Sequence, residues 1–160
     1  MITVSPEVTK PIQMLNPVTT DGGADTDWIS MKDINRLMIC VELTQAVGHA
    51  TVLTLKQATA VAGTGTKVMT VASKLWANEA TATSDTNVRQ TDAKNFTVNN
   101  SISNKQVTFV VEPQEFDVNN GFDCVSVNIS DSSQATNFVS VVGIAYKKTQ
   151  GVTPPTDITD

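Results

Sequence analysis

Hydrophobic positions along this chain recur with a period of two rather than 3.6. Leu37, Ile39, Val41 and Leu43 alternate with Met38, Cys40 and Glu42, the signature of a half-buried β-strand. After a turn at Gly48-His49, residues 51–57 resume the pattern with Val52, Leu53 and Leu55. Residues 67–75 predict another strand, carrying Val68 and Val71, with Trp76 near its end, and residues 96–98 a shorter one. The clearest is 105–112, with Val107, Phe109 and Val111 on one face, Thr108 and Val110 on the other, and Pro113 to end it. In 124–129 the alternation groups Val125, Val127 and Ile129; in 138–146 it groups Phe138, Ser140, Val142, Ile144 and Tyr146.

Turn chemistry separates these runs. Asn99-Asn100-Ser101, Asn119-Asn120-Gly121 and Asp131-Ser132-Ser133 are built from residues that reverse a chain. Residues 58–65 read as a loop, because two Gly and two Thr oppose a helix there. Residues 78–92 are polar and predict a long loop with at most one short edge strand around Val88. Seven or eight short strands and no amphipathic helix predict an all-β fold, a single antiparallel β-sandwich of jelly-roll or Ig-like type. A parallel architecture would need crossover helices that this sequence does not offer.

The two ends have a different texture. Pro6, Pro11 and Pro17 hold residues 1–27 extended and bar them from a helix or a central strand. The expected organisation is an extended N-terminal arm over 1–27, the sandwich over 28–146 and a C-terminal tail over 147–160. The arm is too apolar for a solvated tail: Val4, Val8, Ile12, Met14 and Leu15 are spread along it, and Trp28 stands where it enters the domain. Such a segment is expected to lie against its own domain or a neighbouring subunit, and these six residues are the candidate protein-interface contacts.

Composition narrows the class. A chain of 160 residues makes one domain. It holds 23 Thr and 21 Val, over a quarter of the total, which are β-branched and suit a pleated surface. Only 17% of residues are charged, against about 25% in ordinary globular proteins, too few to solvate the outer faces of a helical fold. Eleven Lys and Arg against 16 Asp and Glu give a net charge of −5. Nucleic acid and anionic membranes are therefore not expected partners. No apolar run approaches the ~20 residues of a membrane span. The first residues lack the basic and apolar regions of a signal peptide, so synthesis in the cytoplasm is expected.

Candidate chemistry is sparse, and no catalytic, cofactor-binding or metal-binding residue is assigned. His49 is the single histidine and sits in a turn. No Gly-x-Ser-x-Gly elbow or phosphate-cradling Gly-Lys-Ser/Thr run is present. Asp21, Asp25 and Asp27 lack calcium-loop spacing and read as turn carboxylates. Glu112, Glu115 and Asp117 follow a strand, but no spacing rule makes them an acid–base pair. Cys40 and Cys124 are 84 residues apart; buried free thiols are the expectation, although a bridge stays open. Trp28 and Trp76 suit packing at the core edge, an interface, or stacking on a sugar.

Several segments carry a resemblance. LNPVTT (15–20), QATAVAGTG followed by KVMT (57–70), TATSDTNVRQTDA (81–93), FTV (96–98) and NNGFDCVSV (119–127) together are similar to the small proteins encoded beside the major capsid gene in tailed-phage head modules. That resemblance implies a capsid decoration, or cement, protein. Such a protein is a β-sandwich bound to the outer surface of the virion head, often a homotrimer, with the major capsid protein as partner. The composition suits this role, since an acidic chain avoids packaged DNA and sits comfortably outside a shell. Two other readings remain at this level: a carbohydrate- or receptor-binding module of a tail or fibre, and an enzyme.

Overall fold

The computed structural model describes residues 6, 8–149, 151 and 155–159. It is an antiparallel β-sandwich without an α-helix among those residues. Twelve strands form it: β1 (Thr9–Thr19), β2 (Ala24–Asp25), β3 (Ile29–Ser30), β4 (Ile34–Gln45), β5 (Val52–Ala58), β6 (Lys67–Val68), β7 (Lys74–Asn78), β8 (Val88–Arg89), β9 (Asn95–Thr97), β10 (Ser103–Val111), β11 (Cys124–Ile129) and β12 (Phe138–Lys147). The count exceeds the expected seven or eight because β2, β3, β6 and β8 are two-residue edge pieces with too little length to show an alternation.

Sheet A runs in the order β1-β12-β4-β10-β7-β8; sheet B runs β2-β11-β5-β6, with β3 also on β11 and β9 on β5. The chain passes from one sheet to the other at eight of the eleven connections between these strands. One such crossing corrects the sequence reading. The single strand expected over 67–75 is two strands, β6 in sheet B and β7 in sheet A, and the residues between them cross the sandwich edge. Met69 is buried on the way, its N–H donating to the Leu55 carbonyl at 3.1 Å.

The inner faces fill the core through the alternation already read. Leu37, Ile39, Val41 and Leu43 of β4 are buried, as are Val107, Phe109 and Val111 of β10, and face Leu53, Leu55, Val125, Val127 and Ile129 of sheet B. β10 and β4 pair without a bulge from Ser103 opposite Gln45 to Val111 opposite Leu37, so the central pair of sheet A is flat and regular. In β12 the inward residues are Val139, Val141, Gly143, Ala145 and Lys147. They are small for a reason: a Cβ on Gly143 would stand 3.0 Å from Met14 Sδ and 3.2 Å from Leu37 Cδ1. The Phe138–Tyr146 set therefore faces outward.

Both ends of the chain differ from expectation. Over Thr9–Thr19 the arm is an edge strand of the domain itself, paired to β12. Its prolines are tolerated because the edge needs no donor on the solvent side, and Pro17 falls within a register shift between Leu15 and Val18. At the far end, residues 155–159 are docked rather than loose. Asp157 is 2% exposed and forms an ion pair with the fully buried Lys147 ammonium and another, at 3.2 Å, with Lys10. Its carbonyl accepts from the Ser30 N–H at 2.7 Å. A buried carboxylate persists only when paired and hydrogen-bonded, and this one closes the sandwich between β1, β3 and β12.

Candidate functional site

The interface residues expected from the arm do not form a common outer surface. Ile12 and Met14 are 7% and 1% exposed and belong to the chain's own core, on the inward side of β1. They are corrected from contact residues to core residues, because strand pairing with β12 turns alternate side chains of the segment inward. Leu15 is half-buried against that core, and Val8 is half-buried beside β12, its carbonyl accepting from the Lys147 N–H at 3.0 Å. Val4 lies outside the described residues. Trp28 is half-buried over the β5–β6 loop: a Cβ on Gly63, whose φ is +75°, would fall 2.7 Å from the indole Nε1. Its packing is intramolecular, and only glycine allows so close an approach at that backbone angle.

The polar candidates are dispersed. Among the described residues there is no group of three or more His, Cys, Asp or Glu arranged to hold a metal ion. Glu112 accepts from Arg36 at 2.8 Å, while Glu115 turns inward to the Ser73 hydroxyl at 2.5 Å and Asp117 pairs with Lys67. Burial pushes the Glu115 carboxyl above its usual range, partly offset by the hydrogen bonds from Ser73 and the Glu112 backbone. Hydrogen bonds from Lys67 and Asn120 hold Asp117 below the usual range. Asp25 bonds Asn128 and pairs with Lys56, and Asp21 and Asp27 are exposed. His49 is half-buried, and its Nδ1 has no partner. Cys40 and Cys124 lie on different sheets and are not joined by a disulfide.

The distinctive surface is the outer face of sheet A. Cross-strand registers align two rows there. One runs Gln13, Val142, Cys40, Thr108, Trp76, Arg89; the next runs Pro11, Ile144, Met38, Val110, Lys74. Their middle members, Val142, Ile144, Met38, Cys40, Val110 and Trp76, are half-buried side chains that face away from the core. The band thus crosses β12, β4 and β10 without a charge, and on β7 it meets Trp76 and Lys74. Charges collect at its margins: Arg36 with Glu112 below, Arg89 with Asp92 beside β8, and Glu42 above. The Arg89 guanidinium lies 4.8 Å from the centre of the Trp76 ring, a cation–π contact that pins the indole. Burial raises the Cys40 thiol, with a hydrogen bond from Thr108 opposing and the Glu42 charge reinforcing it.

The outer face of sheet B is of the opposite kind. Thr54 and Lys56 of β5 stand opposite Asn128 and Ser126 of β11, with Asp25 and Asn95 beyond. Its hydrogen-bonding groups are engaged with each other, as in the Asn128–Asp25 bond at 2.9 Å. The outer face of sheet B is thus the more polar of the two, although Val52 and the exposed Val68 lie on it and Ser126 is buried. A signal for this was present in the sequence: β4, β10 and β12 carry apolar residues at both parities, which marks strands covered on both faces.

Comparison with protein-family models gives no match, and comparison with curated proteins gives none. Among solved structures, the fold is similar to the crystal structure of SPBc2 prophage-derived protein YomS. The likeness covers 91% of this chain and 96% of that one, at 11% identity and a TM-score of 0.49.

Proposed function

We propose that this chain is a virion structural protein, a decoration protein that binds the outer surface of an assembled phage head and stabilises it across subunit boundaries. The observation that carries the reading is the two-sided slab: an apolar outer face on sheet A set against a more polar outer face on sheet B. The resemblance of residues 15–20, 57–70, 81–93 and 119–127 to head-module proteins names the assembly. Sheet A is the side that meets protein, and sheet B the side that meets solvent.

Magnitudes shape the mechanism. Four central strands about 4.8 Å apart, with two apolar outward positions about 6.7 Å apart, make a band of about 260 Å². That falls short of the ~800 Å² per partner of a stand-alone stable interface. At about 25 cal/mol per Å² of apolar area removed from water, one copy gains little after the cost of association. Copies that engage together gain through effective concentration, so repetition over the shell and contact between copies supply what one face lacks. Self-association around a threefold axis would be heterologous and closed, and fits this need.

The runner-up, a sugar- or receptor-binding module, asks for open aromatic platforms. Trp76 has the Arg89 guanidinium over its ring and Trp28 is packed on the β5–β6 loop, which favours the structural reading. Cosedimentation with purified heads that lack this protein tests the proposal. Saturable binding, with a rise in the temperature at which the heads come apart, is expected; no binding, or binding that leaves head stability unchanged, would refute it.

A further inference from the structure

The outer face of sheet A is grooved, and its relief has a chemistry of its own. Two hollows meet at Gln106, which lines both. The first, about 440 Å³, is apolar, floored by Met38, Cys40, Thr108 and Val110 and walled by Trp76. The second, about 410 Å³, is polar, with Glu42, Asn78, Ser84 and Asp85 around it. The loop between β7 and β8 supplies one bank of both, through Asn87 at the first and Ser84 and Asp85 at the second.

The charges of this groove do not balance. Glu42 and Asp85 are exposed, and among the described residues neither forms an ion pair. Lys105 also borders the polar hollow, but its buried ammonium donates to Asn99 and to the Ser101 hydroxyl. Arg89 and Arg36 are committed to Asp92 and Glu112. Lys74 stands across from Val110, at the far end of the apolar hollow. The groove therefore runs from an apolar trough to two carboxylates that form no ion pair among the described residues.

We propose that this groove seats an extended segment of the head's coat protein carrying a large apolar side chain and, two residues further on, a Lys or Arg. The inference rests on the decoration reading and names the surface and the chemistry it recognises. Cys40 and Glu42 are two residues apart on β4, about 6.7 Å along a strand. A segment lying extended along β4 repeats the same spacing on its own inward face. An apolar side chain seated over Cys40, in the lining of the apolar hollow, thus places the next inward side chain over Glu42, with Asp85 on the same polar hollow. The two carboxylates repel phosphate, so lipid headgroups and nucleic acid are disfavoured occupants. The electrostatic part of the contact is exposed and is weakened by salt.

The experiment compares variants in cosedimentation with undecorated heads at low and high ionic strength. Charge reversal by Glu42→Lys with Asp85→Lys is expected to weaken binding about tenfold or more at low salt and to invert its salt dependence, binding then rising with ionic strength. Val110→Glu is expected to weaken it at every ionic strength. Thr54→Glu and Lys56→Glu, on the outer face of sheet B, are expected to stay within about twofold of the parent. All these side chains face outward, and thermal melting of each variant confirms the fold. Labelling of Cys40 by a small maleimide should slow on heads, while the buried Cys124 stays silent throughout. Groove variants that bind like the parent, or Cys40 labelling unchanged on heads, would overturn the groove assignment and leave the decoration reading intact. Failure of the parent protein to bind heads would sink both.

Discussion

Glu115 shows how a single side chain can be misread from its neighbours in sequence. Beside Glu112 and Asp117 it resembles one of a cluster of reactive acids, yet it is 8% exposed and serves the turn after β10, accepting from Ser73 and the Glu112 N–H. Burial raises its carboxyl in the folded state above the unfolded value. A group shifted this way contributes stability that is present below the unfolded pKa and is lost as pH rises through the folded one. Above the folded pKa, Glu115 is therefore a net burden that Ser73 only partly relieves. Replacement by Gln keeps an acceptor for Ser73 without the charge. Urea denaturation of Glu115→Gln at pH 7 should show a midpoint equal to or above that of the parent, and the advantage should shrink towards pH 4. A lower midpoint at pH 7 would mean that the charge itself is required.

At the scale of elements, the C-terminal segment makes the largest single commitment. Lys147 ends β12 with its side chain fully buried, and Asp157 is the carboxylate that meets it. Removing one partner strands a buried charge, which costs about 3–5 kcal/mol in comparable pairs. Asp157→Ala should therefore lower stability by about that amount. The double variant Lys147→Met, Asp157→Leu should recover most of it. A double-mutant cycle in chemical denaturation checks both, and a loss below about 1 kcal/mol for Asp157→Ala would show that the segment is not docked in solution.

How much of the fold was legible follows element by element. β4, β5, β10, β11 and β12 could be read closely because each is long enough for period two to show. The crossing between β6 and β7 could not, since alternation reports faces and does not report which sheet a residue joins. β1 was read as extended but not as part of the sheet, because proline spacing is the same in an edge strand and in a free arm. The docked end escaped because its anchor joins Asp157 to Lys147 and Lys10, groups unrelated by any local pattern. The outer face of sheet A is half legible: the alternation groups Phe138, Ser140, Val142, Ile144 and Tyr146, but only the crowding at Gly143 decides that they point outward.

Taken whole, the molecule is a slab with unlike sides. The core holds it together, the Lys147–Asp157 pair closes one end, and the apolar band of sheet A lies on the outer face. Net charge of −5 sets it apart from DNA-facing components. The proposed decoration role would be defined by number as much as by contact, because each face is small and its effect would be summed over the shell. The most direct test is quantitative mass spectrometry of purified phage particles, with the coat protein as internal standard. The account predicts this protein at a fixed stoichiometry of hundreds of copies per head. Its absence from the particle, or presence at only a few copies as for a tail or fibre component, would contradict it.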